Sequence, residues 1–197
     1  TSIIIPARNE AENIETLLDG IAQACTAIGP WEVIVIDDAS DDGMADILAR
    51  RMIQMPELRV IRHNRSGGQS AGVHSGVRAA RGTYICTLDG DGQNPPSEIP
   101  NMLAPFKGPN RAQIGLVAGQ RVARQDTWSK RYASKLANAL RSKILKDGTR
   151  DTGCGLKAFR RDDFLALPYF DHMHRYLPAL FARDGWTIAH VDVSHAA

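Results

Sequence analysis

The sequence has few cysteines and no long apolar run. Its three cysteines, Cys25, Cys86 and Cys154, are too few and too scattered for a disulfide framework or a Cys-x-x-Cys metal site, and they favour a reducing compartment. No run approaches the roughly 18 to 20 apolar residues that a membrane-spanning helix needs, and no signal peptide is visible. The absence of G-x-x-x-x-G-K-[ST], and of G-x-G-x-x-G after the first apolar run, counts against a P-loop and against a dinucleotide-binding domain.

The length of the chain favours one domain over residues 1–197. The 197 residues are 43% hydrophobic, which is enough to bury a sizeable core. Because the chain starts at Thr1 directly on a strand-like run, we expect it to be a trimmed piece of something longer.

Positive charge is concentrated in one part of the sequence. Residues 111–161 hold 13 lysines or arginines against three aspartates, whereas the remaining residues hold 11 basic against 19 acidic side chains. Such a segment is typical of an anionic partner, which could be a phosphate, a nucleic acid or a membrane surface, although it also fits a solvated helical face.

Short β-branched runs alternate with helical patterns in the N-terminal half. The runs predict buried strands over residues 2–6, 31–37, 58–63 and 83–88. Apolar spacing predicts helices over 10–27, 41–52 and 69–80, with Ser40 as the N-cap of the second. Further along, we expect strands over 114–121, 154–159 and 187–193, and helices over 127–146 and 172–183.

This alternation predicts an α/β fold with a mostly parallel sheet covered by helices on both faces. In such sheets the ligand binds beyond the carboxyl ends of the strands. All four predicted strands of the N-terminal half end in polar segments, which read PARNE, DDASDDG, HNRSGGQ and DGDGQNPP.

Two aspartates, Asp89 and Asp91, follow the fourth strand one residue apart. Gly90 and Gly92 permit the bend that lets both carboxylates point to one side. Such an oxygen-rich pair suits Mg²⁺ or Mn²⁺ together with a diphosphate, whereas the alternative is a solvated Asp-Gly turn. Asp37 and Asp38 end the second strand and face the same crevice, where they could accept hydrogen bonds from a nucleoside or cap a helix.

Five segments in the expected order carry a family resemblance, and they read IIIPARNEAENI, VIVIDDASDDG, NRSGGQSAGVHSGVRAARG, DGDGQNPP and DTGCGLKAFRRD. Together they resemble the family 2 glycosyltransferases with a GT-A fold, above all the branch with dolichyl-phosphate mannose synthase and bacterial polyprenyl-phosphate glycosyltransferases. That family often has Asp-Ala-Asp or Asp-Leu-Gln where this chain has Asp89-Gly90-Asp91, so both carboxylates are kept.

The resemblance implies an inverting transfer of a sugar from a nucleotide sugar, GDP-mannose or a UDP-hexose, with Mg²⁺ or Mn²⁺ as cofactor. It assigns the nucleoside to Pro6, Arg8, Glu10, Asp37 and Asp38. It assigns the diphosphate to Asp89, Gly90, Asp91 and Gln93, with Asp89 and Asp91 as the metal ligands. Members of this branch usually continue into membrane helices, so we expect a membrane part of the parent protein to lie beyond Ala197.

The resemblance also implies a polyprenyl or dolichyl phosphate as acceptor, at the cytoplasmic face of a membrane such as the bacterial inner membrane. Because the second pKa of a phosphate is about 6, this acceptor is largely anionic near neutral pH and needs no strong base. Arg121 and Arg131 are the expected phosphate ligands, and Asp151 is expected near the transferred sugar. The apolar, aromatic stripe on the basic helix 127–146 fits an anionic membrane surface, and equally a core-facing helix.

Three other functions remain open at this point. A polysaccharide or protein hydroxyl could be the acceptor, with Asp151 as the base. The chain could also be a non-catalytic module that binds a nucleotide sugar or an anionic membrane, although the retained pair Asp89 and Asp91 argues against that. Nucleotide transfer to a sugar phosphate fits poorly, because the first strand lacks a glycine- and arginine-rich loop. We expect no nucleic-acid partner, and the sequence leaves open whether the protein is a monomer or a homo-oligomer.

Overall fold

The structure is a computed structural model, which describes residues 1–121 and 153–194. Seven strands form one sheet in the order β3-β2-β1-β4-β6-β5-β7. The strands are β1 (Ser2–Ala7), β2 (Glu32–Asp37), β3 (Leu58–Arg62), β4 (Tyr84–Thr87), β5 (Ile114–Arg121), β6 (Lys157–Arg160) and β7 (Thr187–Val193). The first four strands are parallel, whereas β6 runs antiparallel to both β4 and β5.

Six α-helices are described, together with short 3-10 segments at Pro96–Glu98, Ala104–Lys107 and Met173–Arg175. The helices are α1 (Ile14–Cys25), α2 (Met44–Gln54), α3 (Gly68–Ala79), α4 (Ile99–Leu103), α5 (Arg161–Leu165) and α6 (Leu177–Arg183). Helices α1, α2 and α4 cover one face of the sheet, and α3, α5 and α6 cover the other.

Strand β1 shows why the sheet is covered on both sides. Ile3 and Ile5 pack into the core under α1, whereas Ile4, which points the other way, packs into the core under α3. All three side chains are fully buried, as expected for a central parallel strand. The predicted mostly parallel α/β fold is therefore confirmed.

Several predicted boundaries are wrong, for local reasons. Helix α1 begins at Ile14 and not at residue 10, because the chain turns at Asn9, whose φ is +58°. Ser40 does not cap α2, since Gly43 precedes that helix and the Ser40 hydroxyl accepts a hydrogen bond from the Asn9 amide.

The C-terminal elements also differ from the prediction. Strand β6 begins only at Lys157, so residues 154–156 lead into the strand and are not part of it. The predicted helix 172–183 is divided into a 3-10 turn and α6, because Tyr176 leaves the helical region at φ −107° and ψ 3°. The predicted helix 127–146 lies outside the described residues.

Candidate active site

The carboxyl ends of β1, β2 and β4 meet around an open cleft of about 420 Å³. This cleft brings together most of the residues that the sequence suggested. Its lining consists of Pro6, Ala7, Arg8, Glu10, Asp38, Ser66, Gly68, Gln69, Asp89, Gly90 and Asp91. Gln93 is exposed nearby, and its backbone N–H donates to Asp91 Oδ1 at 3.1 Å.

Asp89 is held in place from three sides. The Gln69 amide donates to Oδ1 at 2.6 Å, and the Asn94 amide donates to Oδ2 at 3.3 Å. The α-carbon of Gly155 lies directly against the carboxylate, so that any side chain at that position would overlap it. Gly90 brings the same turn onto β1, since a Cβ there would stand only 2.9 Å from the Ala7 Cβ. The Asp89 carboxylate is therefore preorganised.

The electrostatics of this carboxylate depend on its neighbours. Burial and the negative charge of Asp91 raise the pKa of Asp89, and the positive charges of Lys157 and Arg121 act in the opposite direction. A divalent cation between Asp89 and Asp91 would relieve both unfavourable effects.

The donor set fits a hard divalent cation. Asp89 and Asp91 offer carboxylate oxygens to the cleft, and Asp91 is exposed to solvent. Within residues 1–121 and 153–194 there is no cluster of three or more His, Cys, Asp or Glu side chains that could hold a metal. Mg²⁺ and Mn²⁺ are commonly bound by one or two protein carboxylates, with water and substrate phosphates as the other ligands. Asp89 and Asp91 supply that number of carboxylates.

Asp38 organises the loop that follows β3. Its two oxygens accept four hydrogen bonds, from His63 and Ser66 at 2.7 Å each and from the Gly67 and Gly68 amides at 2.8 Å each. Burial would raise the pKa of Asp38, but the hydrogen bonds from these four partners outweigh it and lower the pKa to about 2. Asp38 therefore fixes the wall of the cleft on which α3 begins.

Asp37 is 1% exposed, and its carboxylate stabilises the turn after β2. Its Oδ1 accepts the Ser40 amide at 2.8 Å, and its Oδ2 lies 3.4 Å from Arg62 Nε. The assignment of Asp37 and Asp38 to the nucleoside stays a prediction, and both carboxylates have structural partners within the chain.

The turn after β1 forms the opposite wall of the cleft. Arg8 Nη1 donates to Ser66 Oγ at 3.2 Å and so bridges this turn to the loop after β3. The Glu10 carboxylate accepts a hydrogen bond from the side-chain amide of Asn13 at 2.9 Å. Pro6, Arg8 and Glu10 line the same cleft as Asp89 and Asp91, and their assignment to the nucleoside stays a prediction.

A second cavity of about 270 Å³ adjoins the cleft on the far side of Asp89. The two spaces share Pro6, Gln69 and Asp89. The remaining lining consists of Val73, Thr87, Leu88, Gly153, Cys154, Gly155, Lys157, His174, Arg175 and Leu177. Lys157, Gln69, His174 and Arg175 were not among the site residues predicted from the sequence. Lys157, His174 and Arg175 reach this cavity only because β6 and the 3-10 turn Met173–Arg175 are brought to it from a distant part of the chain.

His174 is anchored to α3 by Ser70. The Ser70 hydroxyl lies 2.7 Å from His174 Nδ1, and the same oxygen accepts the His174 backbone amide at 3.3 Å. Burial and the charge of Lys157 lower the pKa of His174 to about 4, so the imidazole is neutral at neutral pH. Because Ser70 Oγ already accepts the backbone N–H, its own proton is best directed to Nδ1, which leaves the ring proton on Nε2.

The predicted acceptor residues are only partly within the described chain. Arg121 ends β5, and its charge acts on Asp89, which places it beside the site. Arg131, Asp151 and the stripe on helix 127–146 lie outside the described residues. None of the helices described in residues 1–121 and 153–194 is long and apolar enough to cross a membrane.

Comparison with protein families gives a match over most of the chain. Residues 2–167 match the model of Glycosyl transferase family 2. Among curated proteins, an undecaprenyl-phosphate 4-deoxy-4-formamido-L-arabinose transferase of Pectobacterium carotovorum is 34% identical, over 99% of this chain and 59% of its own. A dodecaprenyl-phosphate galacturonate synthase of Rhizobium johnstonii is 32% identical, over 92% of this chain and 54% of its own. The chain thus spans a little over half the length of these curated relatives.

Solved structures share the fold. A mannosyltransferase from Pyrobaculum calidifontis, in complex with GDP-Man and Mn²⁺, is 24% identical with a TM-score of 0.72, over 100% of this chain and 56% of its own. A glucosyl-3-phosphoglycerate synthase from Mycobacterium tuberculosis, in complex with UDP, is 23% identical with a TM-score of 0.76, over 100% of this chain and 70% of its own. These likenesses confirm the expected GT-A type of sheet.

Proposed function

Because the chain belongs to glycosyl transferase family 2, and is therefore a glycosyltransferase, we propose that it transfers a sugar from a nucleotide sugar to a polyprenyl phosphate at a membrane. The similarity to two kinds of polyprenyl-phosphate sugar transferase, over at least 92% of this chain, is the observation that carries the proposal. The acceptor is accordingly a lipid monophosphate, and the product is a lipid-linked sugar.

The nucleotide sugar enters the cleft between the turns after β1 and β4. Its nucleoside lies along Pro6, Arg8, Glu10 and the loop that Asp38 holds, and its diphosphate reaches Asp91. Proteins of the same fold that were solved in complex with GDP-Man and Mn²⁺, or with UDP, support the proposal that this chain binds a nucleotide sugar. Gly90 and the exposed Gln93 shape the turn that faces the diphosphate.

Asp89 and Asp91 would hold a Mg²⁺ or Mn²⁺ ion against the diphosphate. When bound, such an ion supplies charge neutralisation of the leaving nucleoside diphosphate. Gln69 and Asn94 keep the Asp89 carboxylate in one orientation, so that little rearrangement accompanies binding. The transferred sugar then lies beyond Asp89, in the cavity of about 270 Å³.

The acceptor phosphate oxygen attacks the anomeric carbon of the sugar as the bond to the diphosphate breaks, which inverts the configuration at that carbon. Because the phosphate is already anionic, it has to be positioned next to the sugar more than it has to be deprotonated. Arg121 and Arg131 bind and position it. Arg121 is the one of the two that lies in the described part of the chain, and it stands near Asp89. Asp151 orients the hydroxyl groups of the sugar.

The basic segment over residues 111–161 brings the domain to an anionic bilayer at its cytoplasmic face, where the lipid acceptor resides. Residues 1–197 form a single catalytic domain in this proposal. A non-catalytic module would have no need to keep Asp89 and Asp91 in one cleft with so many supporting contacts.

The test is transfer by the full-length protein to a short polyprenyl phosphate in detergent. A panel of UDP- and GDP-sugars with Mn²⁺ would be offered, and the lipid-linked sugar would be detected by mass spectrometry. We expect a product with at least one donor, and none after chelation. Transfer to a sugar or protein hydroxyl with no transfer to the lipid phosphate would support the alternative acceptor and contradict the proposal.

A further inference from the structure

The first turn of α3 connects two parts of the site. Its Gln69 side chain donates to the Asp89 carboxylate at 2.6 Å, and the next residue, Ser70, contacts His174. Asp38 anchors the start of the helix through two backbone amides. One helical turn therefore positions both a candidate metal ligand and a side chain of the adjoining cavity.

The contact between Ser70 and His174 joins residues that are 104 positions apart in the sequence. Ser70 is 1% exposed, and its hydroxyl oxygen lies 2.7 Å from His174 Nδ1. The same oxygen accepts the backbone N–H of His174 at 3.3 Å. Because both the ring and the backbone of His174 bind one buried atom, the ring is held in one orientation relative to α3.

The other ring nitrogen of His174, Nε2, is the one left for a ligand. His174 lines the cavity of about 270 Å³ beside Asp89. Within residues 1–121 and 153–194, Nε2 has no hydrogen-bond partner. In the proposed function this cavity holds the transferred sugar, whose hydroxyl oxygens accept the hydrogen bond that an imidazole N–H donates.

His174 is a neutral donor. Burial and the charge of Lys157 lower its pKa to about 4, and the Ser70 proton on Nδ1 leaves the ring proton on Nε2. Glycosidic bonds break through transition states that carry positive charge on the sugar ring, which a cationic side chain nearby would oppose. A neutral imidazole binds the sugar without this penalty.

We propose that the Nε2–H of His174 donates a hydrogen bond to a hydroxyl group of the transferred sugar, and that Ser70 is the positioning residue that orients this donor. The inference rests on the proposed function, because it takes the cavity as the site of the transferred sugar. A sugar that lacks the hydroxyl group would leave the donor unpaired and would bind more weakly. The pair therefore contributes to the choice of sugar and not to the binding of the nucleoside diphosphate.

The first experiment separates the sugar from the nucleotide, on the full-length protein with Mn²⁺. Calorimetry would give the Kd of UDP-glucose, UDP-galactose and GDP-mannose, and of UDP and GDP alone. In His174→Asn the shorter side chain can still accept from Ser70 but does not reach the position of Nε2. We expect the tightest nucleotide sugar to bind about 10-fold more weakly to this variant, with the Kd of its nucleoside diphosphate unchanged.

Two further substitutions are matched comparisons. His174→Gln places an amide N–H near the position of Nε2, and it should restore the Kd of the nucleotide sugar to within about threefold of the wild type. His172→Asn, at an exposed histidine outside the cavity lining, should leave that Kd unchanged. Circular dichroism would establish that each variant is folded.

Donors that lack one hydroxyl group test the contact from the side of the sugar. The 2-, 3-, 4- and 6-deoxy forms of the tightest nucleotide sugar would be titrated against the wild type and His174→Asn. We expect the substitution to cost about 10-fold with three of these donors, and nothing with the one that lacks the contacted hydroxyl group. Undiminished binding of all four deoxy donors to the wild type would overturn the inference, whether or not the variants fold.

Ser70→Ala tests the positioning role, because it removes the hydroxyl group that orients the ring. We expect a Kd for the nucleotide sugar about threefold higher, with an unchanged Kd for the nucleoside diphosphate. The double variant Ser70→Ala/His174→Asn should bind no more weakly than His174→Asn alone, since Ser70 acts through His174. Ser97→Ala, at an exposed serine of the 3-10 segment Pro96–Glu98, is the control. A further loss in the double variant would overturn the role of Ser70.

The remaining results would overturn the proposal in distinguishable ways. Equal Kd values of the wild type and His174→Asn for every nucleotide sugar would show that His174 does not bind the sugar. An equal loss of affinity for the nucleoside diphosphate would assign His174 to the diphosphate, and a raised KM of the polyprenyl phosphate alone would assign it to the acceptor. Binding of nucleotide sugars with no transfer to the lipid phosphate would refute the proposed acceptor and not the contact with the sugar. Failure of the wild type to bind any UDP or GDP compound would refute both.

Discussion

The α-carbon of Gly155 lies against the carboxylate of Asp89, with no room for a side chain between them. Gly155 comes from the segment that leads into β6, and Asp89 follows β4, so the contact depends on the antiparallel pairing of these two strands. The Thr87 hydroxyl, which donates to the Gly155 carbonyl at 2.7 Å, fixes the same approach. The position of a candidate metal ligand is thus determined by a backbone on a distant part of the chain.

Gly155→Ala should therefore impair transfer without unfolding the protein. The added methyl group overlaps the carboxylate, and a displacement of about 1 Å in such a group can cost on the order of 100-fold in rate. Steady-state transfer assays would measure this loss. Gly108→Ala is the control, because a Cβ there meets only the Pro105 carbonyl, at 3.4 Å, and its rate should match the wild type. Normal turnover in Gly155→Ala would show that the contact with Gly155 does not set the working position of Asp89.

Asp91→Asn should weaken nucleotide binding only when metal is present. The substitution removes a negative charge that a divalent cation and a diphosphate would share, so we expect a Kd for the nucleotide about 100-fold higher with Mn²⁺ and little change after chelation. Titration calorimetry with and without a chelator measures both. Glu57→Gln, at an exposed acid outside the cleft lining, controls for net charge. If the wild-type Kd is the same with and without Mn²⁺, the metal is not part of donor binding.

Asp38→Asn should destabilise the fold as well as the cleft. Either orientation of the amide sets an NH₂ group against donors, from His63 and Gly67 on one oxygen and from Ser66 and Gly68 on the other. We expect the free energy of unfolding to fall by about 2 kcal/mol, the scale of buried groups left without partners. Urea denaturation measures it, with the exposed Asp41→Asn as control. Equal stability of the two variants would mean that the loop after β3 does not depend on Asp38.

The strands that form the cleft could be predicted from the sequence because their signal is local. Buried parallel strands are short β-branched runs with polar ends, and β5 and β7 were predicted with their observed bounds. The turn after β4 could also be predicted, since Asp-Gly is a common turn dipeptide, whereas its role as a metal site stays a prediction. Helix starts were less predictable, because Asn9 and Gly43 set them through backbone angles that composition does not reveal.

The roles of the buried polar residues could not be predicted, because they depend on long-range contacts. The sequence did not reveal that four donors 25 to 30 residues away bind the oxygens of Asp38, whose assignment to the nucleoside stays a prediction. Lys157 looked like part of a basic segment, yet its pairing with Thr87 buries it beside Asp89. The antiparallel pairing of β6 with β4 brings Lys157 to this position.

Arg121→Ala should act on the acceptor and spare the donor. Its charge acts on Asp89 from the end of β5, which suits a cation that places a phosphate opposite the sugar. We expect the KM for the polyprenyl phosphate to rise about 10-fold, with the Kd of the nucleotide unchanged. Arg78→Ala, at an exposed arginine near the end of α3, is the control. A weaker nucleotide Kd with a normal acceptor KM would instead assign Arg121 to the donor diphosphate.

Because His174 is neutral in the folded protein, we expect the free energy of unfolding to depend on pH. Its pKa of about 4 in the folded protein lies below the ordinary value of 6.5, because burial and Lys157 disfavour the charged ring. The unfolded chain therefore binds this proton more readily, and the free energy of unfolding should fall as the pH drops from 6.5 towards 4. With one pKa unit worth about 1.4 kcal/mol, the full difference corresponds to about 3.5 kcal/mol, and solvent screening of the partly exposed ring reduces the expected loss to on the order of 2 kcal/mol.

His174→Asn isolates this contribution, because the amide oxygen can still accept from Ser70 but the side chain does not titrate. Urea denaturation between pH 4 and 7 should show a shallower decline for this variant than for the wild type. His74, whose pKa is also lowered by burial and by Arg78, retains its own smaller share in both proteins. His172→Asn, at an exposed position whose charge makes only a lesser contribution to the lowered pKa of His174, should keep most of the decline. Parallel curves for the wild type and His174→Asn would show that His174 is protonated as easily in the folded protein as in the unfolded chain, and that burial and Lys157 do not keep it neutral.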